Sequence, residues 1–393
     1  MQIINGGGKP ASVCYSYGFL MEFSFACVCE CVYNGLRRED LPGKDTFCMA
    51  DKRVDIGGQA VLEGVMMRSP EYVALAVRRP DGSIVVKRDP YVSPAKKHKW
   101  MGWPFIRGAV SMITMLSTGM KTLEESAKMG GQEEEEPTRF EKWLAKKLGK
   151  GVDKVVMGLA IVLALAMSIG LFVLLPNLII KLFPATASGG MLLLKNLASG
   201  LVRTALLIGY MIAVRRVPDM MRVFRYHGAE HKTVYNHEAG IELTPGNAKQ
   251  FSRLHPRCGT SFLLITFILS IVFYSIVDVL VLQLTGFDLG AHYFVRILSR
   301  ILLLPCVAGI SYETLKGLAH NDGKVCVAMR KPGMALQLLT TAEPDEGMLE
   351  VAIVSMKAAL GDMPDGPRTP EGYIIAVPAP QKAEEAENEP LPE

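Results

Sequence analysis

The chain is organised around the stretch Arg225-Tyr-His-Gly-Ala-Glu-His-Lys232, which lies in a hydrophilic segment between long apolar runs. Within it, His227 and His231 are four residues apart, so a helix places both imidazoles on one face. Two imidazoles at this spacing can bind one metal ion, as in the H-x-x-E-H arrangement of zinc enzymes. The stretch therefore predicts a helix that carries half of a metal site.

A second stretch, His255-Pro-Arg-Cys258-Gly259, lies in the same segment. Its Pro and Gly favour a tight turn, and it resembles a C-P-x-C-G zinc knuckle with the first Cys replaced by His. Zinc takes about four nitrogen or sulfur ligands, and His227, His231, His255 and Cys258 would supply them. We therefore predict a divalent metal site, with Zn2+ as the expected ion.

The number of ligands decides what such a site does. Four protein ligands make a closed, structural site, whereas three leave a position at which water can be activated. In the second case Glu230 is the candidate general base, as in H-x-x-E-H enzymes. Glu313 is a further downstream carboxylate, and it emerges with His320 on the same side of the last apolar run. The alternative is a polar network without metal.

Four apolar runs define the fold class. Val155–Leu175 carries no charge and is long enough to span a bilayer. The other three runs, Met191–Val214, Phe262–Leu284 and Tyr293–Ser311, each include a few polar or charged residues. The sequence predicts an α-helical polytopic membrane protein with about four transmembrane helices and a small β-containing cytoplasmic region before them.

Charged residues inside these runs need partners. His292, Arg296 and Arg300 form one stripe on the last run, where they can pair with Asp278 or bind an anionic lipid headgroup. For Arg296, His292 and Lys195 we expect snorkelling toward the membrane surface instead. Arg203 and Arg300 are expected to face the bundle interior.

The loop charges predict the orientation. Segment 215–259 carries eight basic residues, whereas 182–190 and 285–291 carry none. The positive-inside rule then places 215–259 and both chain termini in the cytoplasm and the protein in the plasma membrane. The lipid bilayer is the expected partner, and a homo-oligomer is compatible with the sequence.

The region before the spans has β character. Tyr72–Val77 and Ser83–Val86 flank Pro80-Asp81-Gly82, which predicts a hairpin. Glycines at 57, 58 and 64 predict either close backbone approaches or bulges. Ile106–Met129 is predicted to be an amphipathic helix, with Ile113, Leu116, Met120 and Leu123 on one stripe. Asp345–Leu360 is predicted to be a surface helix.

The predicted organisation has eight segments. Residues 1–48 form an atypical extension that contains five of the eight cysteines, and either translation begins at Met49 or the extension is structured. The others are a β-rich region (49–95), interfacial helices with an acidic linker (96–150), spans 1–2 (151–214), the His/Cys segment (215–259), spans 3–4 (260–314), a cytoplasmic region (315–361) and a disordered tail (362–393).

Composition excludes one class of partner. The 393-residue chain is 49% hydrophobic with a net charge of +4, and no basic-aromatic tract indicates nucleic-acid binding. The scattered cysteines predict reduced thiols in the body of the protein.

Several stretches together resemble one family. They are Ile56–Arg68, Arg107–Val110 with Glu125–Ala127, Arg225–Lys232, Ser252–Phe262, Leu336–Asp345 and Glu350–Ile353. Across about Met49 to Gly361 the chain resembles the YqhQ-like family, bacterial proteins of unknown function predicted to be metal-dependent and membrane-associated. The resemblance implies a metal and a membrane, and no reaction.

Three functions fit these observations. The first is a metal-dependent membrane hydrolase with Glu230 as general base. The second is a non-enzymatic scaffold or assembly factor braced by a structural zinc site. The third is a transporter that uses Arg203 and Arg300, which is disfavoured because four spans without a repeat make a small pore.

Overall fold

A five-stranded sheet and a set of long helices make up the part of the chain that the computed structural model describes: residues 56–131, 152–181, 189–256, 258–289, 292–319 and 323–379. These residues belong to one unit, Asp51–Glu393. The predictions for residues 1–48, for most of the acidic linker and for His320 lie outside them.

The sheet is an antiparallel meander in which each strand pairs with the next along the chain. Its strands are β1 (Gly57–Val61), β2 (Gly64–Arg68), β3 (Tyr72–Arg78), β4 (Ile84–Pro90) and β5 (Ile374–Val377). The predicted hairpin is confirmed, and Asp81 stabilises its turn by accepting hydrogen bonds from the Ser83 backbone N–H (2.8 Å) and hydroxyl (2.6 Å). Both bonds favour the carboxylate and lower the pKa of Asp81.

The last strand corrects the predicted tail. Residues 362–393 were predicted to be disordered, but Ile374–Val377 pairs with β4 and closes the sheet on that side. Without this strand, the edge of β4 would present unpaired backbone groups. The four residues of β5 pair with those groups.

The helices follow the sheet along the chain. They are α1 (Pro94–Lys97), a 3-10 turn (Lys99–Gly102), α2 (Ile106–Met129), α3 (Val152–Ile169), a π-helical turn (Gly170–Leu174), α4 (Leu175–Lys181), α5 (Gly189–Val214), α6 (Pro218–Ala239), α7 (Pro245–Lys249), α8 (Gly259–Thr285), α9 (Tyr293–Ala319), α10 (Lys324–Thr340) and α11 (Glu346–Leu360).

Helix α11 covers one face of the sheet. It begins at Asp345, whose side chain accepts a hydrogen bond from the Met348 N–H (2.8 Å), and it ends at Gly361 with φ 106°. Leu349 and Met356 are fully buried in the core that it shares with β2, β3 and α6. The predicted boundaries are confirmed, but the helix is a core element rather than a surface one.

Among the described residues, three helices are long and apolar enough to cross a membrane: Leu193–Val214, Leu264–Thr285 and Phe294–Leu318. Large apolar side chains such as Leu284 and Phe294 are more than 80% exposed on them, as lipid-facing residues are. At the predicted span Val155–Leu175 the structure has a shorter apolar helical segment, Val162–Phe172. A span at Val155–Leu175, which would bring the number to four, therefore stays a prediction.

The charges inside these helices pair with one another. Asp278 of α8, 1% exposed, accepts hydrogen bonds from Arg300 (2.6 Å) and Asn196 (3.0 Å). Arg296 donates to Asn196 Oδ1 (2.8 Å) and lies 3.5 Å from Asp278. The expected pairing with Asp278 is thus confirmed for Arg300. The snorkelling expected of Arg296 is wrong, because its guanidinium turns toward this buried acid.

Helix α2 is amphipathic as predicted, and its apolar stripe faces outward. Ile113, Leu116 and Met120 are each more than 60% exposed. The opposite face packs through glycines: a Cβ at Gly108 would lie 2.8 Å from the Ala308 carbonyl oxygen of α9. The small residues bring α2 into close contact with the rest of the protein while its stripe stays uncovered.

Candidate metal centre

The H-G-A-E-H stretch lies in the middle of α6, as predicted. The helix begins with Pro218 at its first turn and ends at Gly240 in the left-handed region, with φ 68°. Its central residues are mostly buried although many are polar, including Glu230 and His231. Buried polar groups need partners, and the partners identify the site.

Gly228 sets the position of α6 against the segment that follows α10. A Cβ at this residue would lie 2.1 Å from the Ala342 carbonyl oxygen, which is far inside van der Waals contact. One turn earlier, the Phe224 carbonyl accepts a hydrogen bond from the Ala342 N–H (2.8 Å). The glycine in the motif therefore lets a second chain segment cross directly beside the two histidines.

We expect Gly228→Ala to destabilise the full-length protein by about 1–3 kcal/mol, because the added methyl group forces α6 and Ala342 apart. The matched control is Gly209→Ala in α5, where a Cβ meets nothing within 4 Å; there alanine should stabilise by up to ~1 kcal/mol. Thermal unfolding in detergent measures both. Equal melting temperatures for the two variants would contradict the close crossing.

Backbone carbonyls fix both imidazoles. His227 Nδ1 lies 2.9 Å from the Thr340 carbonyl oxygen and His231 Nδ1 lies 2.5 Å from that of Arg253. A carbonyl can only accept, so each Nδ1 carries the proton and donates it. Each neutral ring then keeps its lone pair on Nε2. Metal-binding histidines are typically oriented in this way by a bond at their other nitrogen.

Cys258 brings a third donor atom to the same point. It is the residue just before α8, and its Sγ lies 3.3 Å from His227 Nε2. One donor atom from each of His227, His231 and Cys258 lies within 4.8 Å of the other two. A thiol has one proton to give. His231 Nε2 is buried and makes no hydrogen bond of normal geometry among the described residues, although it interacts with the Cys258 thiol.

This cluster fits a metal ion chemically. Two imidazole nitrogens with free lone pairs and one sulfur are ligands that zinc prefers. An orphaned buried nitrogen costs free energy unless something binds it. Burial also lowers the pKa of His231, which keeps the ring neutral and able to act as a ligand. His227 is only half-buried, so the cluster is reachable from one side.

The structure does not bring His255 into the cluster. Its Nε2 lies 3.4 Å from a Glu238 carboxylate oxygen, and its ring packs on Tyr235 at 4.5 Å between centroids. Gln337 holds its backbone by a pair of hydrogen bonds of 2.8 and 2.7 Å. The predicted turn between His255 and Cys258 is present. The His255 ring lies 5.8 Å from the His231 ring between centroids, but of the two residues only Cys258 belongs to the donor group with both α6 histidines.

Glu230 faces the sheet. A Cβ at Gly58 of β1 would lie 2.9 Å from the Glu230 side chain, so this glycine makes the close backbone approach that the sequence left open. Burial raises the pKa of Glu230 to about 7, and a hydrogen bond from the Gly58 backbone opposes that rise. Glu230 is outside the three-residue donor group.

The other candidate carboxylate is engaged elsewhere. Glu313 makes two hydrogen bonds to Arg107, of 2.7 and 2.5 Å, and so holds α2 against α9. The partners that sequence reasoning missed are the Thr340 and Arg253 carbonyls and the Gln337 side chain. Sequence motifs do not mark backbone carbonyls, so the first two could not have been found. Gln337, which is fully buried, could have been found because it is a polar residue in one of the stretches that resemble the family.

Fold and site together define a class: a helical protein with three membrane-length helices, a small antiparallel sheet and a His/His/Cys cluster. The chain belongs to the family described as "Protein of unknown function (DUF1385)", which matches residues 103–362. It is 35% identical over 309 residues to "Uncharacterized protein YqhQ" of Bacillus subtilis (strain 168), covering 77% of this chain and 92% of that protein. No solved structure matches.

Proposed function

We propose that this protein is a metal-dependent integral membrane protein with one zinc ion bound by His227, His231 and Cys258, and that it catalyses a hydrolytic reaction. The observation that carries the proposal is the convergence of two imidazole nitrogens and one thiol sulfur within 4.8 Å of one another. His231 Nε2 is buried there and makes no hydrogen bond of normal geometry among the described residues. Three protein ligands leave room for a fourth, and zinc held in this way activates water for attack on a substrate.

Glu230 is the proposed general base. A carboxyl group works best in this role when its pKa lies near the working pH, and burial raises the pKa of Glu230 to about 7. The Gly58 backbone hydrogen bond holds the carboxylate in place beside β1.

The proposed setting is the cytoplasmic face of a bacterial plasma membrane. Three membrane-length helices support insertion, and the uncharged run Val155–Leu175 is the proposed fourth span. The eight basic residues of segment 215–259 favour its cytoplasmic location under the positive-inside rule. Four spans then leave both termini in the cytoplasm.

Cobalt substitution tests whether the site is open. We expect the full-length protein to bind one Co2+ with the absorption bands of a thiolate-ligated ion, and azide to shift those bands by occupying the free position. Glu230→Gln serves as the control: it should keep the ion and the azide response because Glu230 is not a ligand. Bands that azide does not change would indicate a closed site and contradict the catalytic proposal.

A structural site is the second candidate. The cluster connects separate chain segments. Cys258 lies just before α8, and the imidazoles of the two α6 histidines donate hydrogen bonds to the backbone carbonyls of Thr340 and Arg253. A zinc ion there would brace a scaffold or assembly factor without any reaction. The azide-insensitive outcome supports this second function.

A further inference from the structure

A polar cleft of about 680 Å3 lies between the sheet and α2. One wall is formed by the ends of β1 and β2, including Gly57 and Arg68, and the other by the first turns of α2, including Arg107, Ser111 and Thr114. The residues that line the cleft are therefore different from the three residues of the candidate metal centre. Among the described residues that line it there is no aspartate or glutamate.

Arg68 gives the cleft an uncompensated positive charge. Its guanidinium lies over the Tyr91 ring, 5.2 Å from the centroid, and within the described residues it makes no ion pair. Two other cations of the same sheet are neutralised: Arg78 pairs with Glu350 (2.8 Å) and Lys87 with Glu125 (2.6 Å). Arg88 lies over the Tyr72 ring outside the cleft and donates to the Gly361 carbonyl oxygen (2.8 Å). A half-buried arginine without a carboxylate, held flat on an aromatic ring, is pre-organised to bind an anion.

The opposite wall supplies hydroxyl groups and a fixed frame. Ser111 of α2 and Tyr312 of α9 supply hydroxyl groups. The Thr114 hydroxyl also lines the cleft, but it donates its proton to the Val110 carbonyl oxygen (2.8 Å). Arg107 is already neutralised by Glu313, so its role is to hold this wall in place. Hydroxyl donors facing one free guanidinium suit an oxyanion with several acceptor oxygens, which is the property of a phosphate group.

The rim indicates two sources for such a group. Trp100 and Trp103, next to the cleft residues Met101 and Gly102, are 49% and 61% exposed. Lys96, Lys97 and Lys99 precede them. Aromatic and basic residues together are typical of the membrane surface, where lipid headgroups and soluble phosphate esters are both available.

We propose that this cleft is a binding site for a phosphate-bearing anion, with Arg68 as its charge partner. Binding itself is independent of the metal centre. Gly57 in the cleft wall is adjacent to Gly58, which contacts Glu230, so the cleft lies next to the proposed general base. The further step, that the bound anion is also the substrate, rests on the proposed function.

Binding is measured by tryptophan fluorescence on the full-length protein in a neutral detergent. The probes are inorganic phosphate, dihexanoyl phosphatidic acid and, as a phosphate-free control, dihexanoyl glycerol. We expect saturable binding of phosphatidic acid and none of dihexanoyl glycerol. Binding of inorganic phosphate as well would extend the ligand class to soluble esters, whereas phosphatidic acid alone would define a lipid headgroup site.

The variants locate the anion. Arg68→Met should weaken binding about tenfold or more, because a charge-assisted hydrogen bond is lost. Arg88→Met is the matched control: Arg88 also lies over a tyrosine ring of the sheet, that of Tyr72 at 4.7 Å, but outside the cleft, and its loss should leave affinity unchanged. Ser111→Ala, on the other wall, should weaken binding by a smaller factor. This second variant tests the site even if Arg68→Met does not fold.

Two results would overturn the proposal. One is the absence of saturable binding for both phosphate-bearing probes. The other is that Ser111→Ala and Arg68→Met both bind the probe as tightly as the unaltered protein does, because the anion would then lie elsewhere. Zinc content is recorded in parallel, so failure of this proposal is distinguishable from failure of the metal site.

Discussion

Purified full-length protein should contain about one zinc ion per chain, and His231→Ala and Cys258→Ala should each reduce this to a small fraction. The reason is that a tetrahedral ion held by three protein ligands loses a large share of its binding free energy with any one of them. His231 should be the more sensitive position, because its Nε2 is buried and makes no hydrogen bond of normal geometry among the described residues. Elemental analysis after exhaustive dialysis provides the measurement.

The matched control separates three ligands from four. His255→Gln removes the imidazole that the sequence assigned to the metal but that the structure pairs with Glu238, and zinc content should stay near that of the unaltered protein. A parallel loss of zinc in His255→Gln would restore the four-ligand, closed site. Absence of zinc from the unaltered protein, together with its failure to take up added zinc, would reject the metal centre altogether.

Local sequence patterns predicted the elements that depend on local physics. The hairpin around Asp81 follows from turn chemistry, and α11 follows from helical periodicity. The helix at His227 and His231 follows from the spacing of these two residues. The apolar runs of α5, α8 and α9 predicted the long helices to within a few residues at most ends. The end of α9 is the exception: it continues to Ala319, beyond the predicted Ser311.

Contacts between distant residues set the limits of the sequence prediction. His255 and Gln337 are 82 positions apart, and this pairing helps to turn the His255 ring toward Glu238 rather than toward Cys258. No spacing rule contains that information, because it depends on how α10 lies against the turn before α8. The same applies to β5, since a four-residue strand becomes stable only where β4 presents a free edge.

The glycines of the motifs illustrate the intermediate case. For Gly58 the sequence predicted either a close approach or a bulge without identifying a neighbour, and for Gly228 it made no prediction. The structure identifies Ala342 beside Gly228 and Glu230 beside Gly58, and both neighbours are far away in sequence. The residues of the candidate site were thus foreseeable as a set, while the geometry that selects three donors from four was not.

Removal of Asp278 should destabilise the protein by on the order of 3–5 kcal/mol, the cost of leaving buried charges without their partner. Asp278 is 1% exposed, and both Arg300 and Arg296 lie within 3.5 Å of the same carboxylate oxygen. In Asp278→Leu these two guanidinium groups would face apolar side chains and each other. Thermal unfolding of the full-length protein in detergent measures the effect.

A double variant and an exposed pair make the test specific. Asp278→Leu combined with Arg300→Leu should recover part of the lost stability, because one uncompensated cation is removed and Arg296 keeps Asn196 as a partner. Glu124→Gln, which breaks the exposed pair with Lys128, should leave the melting temperature almost unchanged. If Asp278→Leu melted like Glu124→Gln, the acid would not hold α8 to α9, and the charges on these helices would need another explanation. The predicted asymmetry follows from solvent: water screens and solvates the Glu124 pair, whereas Asp278 is 1% exposed and the side chains of Arg296 and Arg300 that contact it are 25% and 21% exposed.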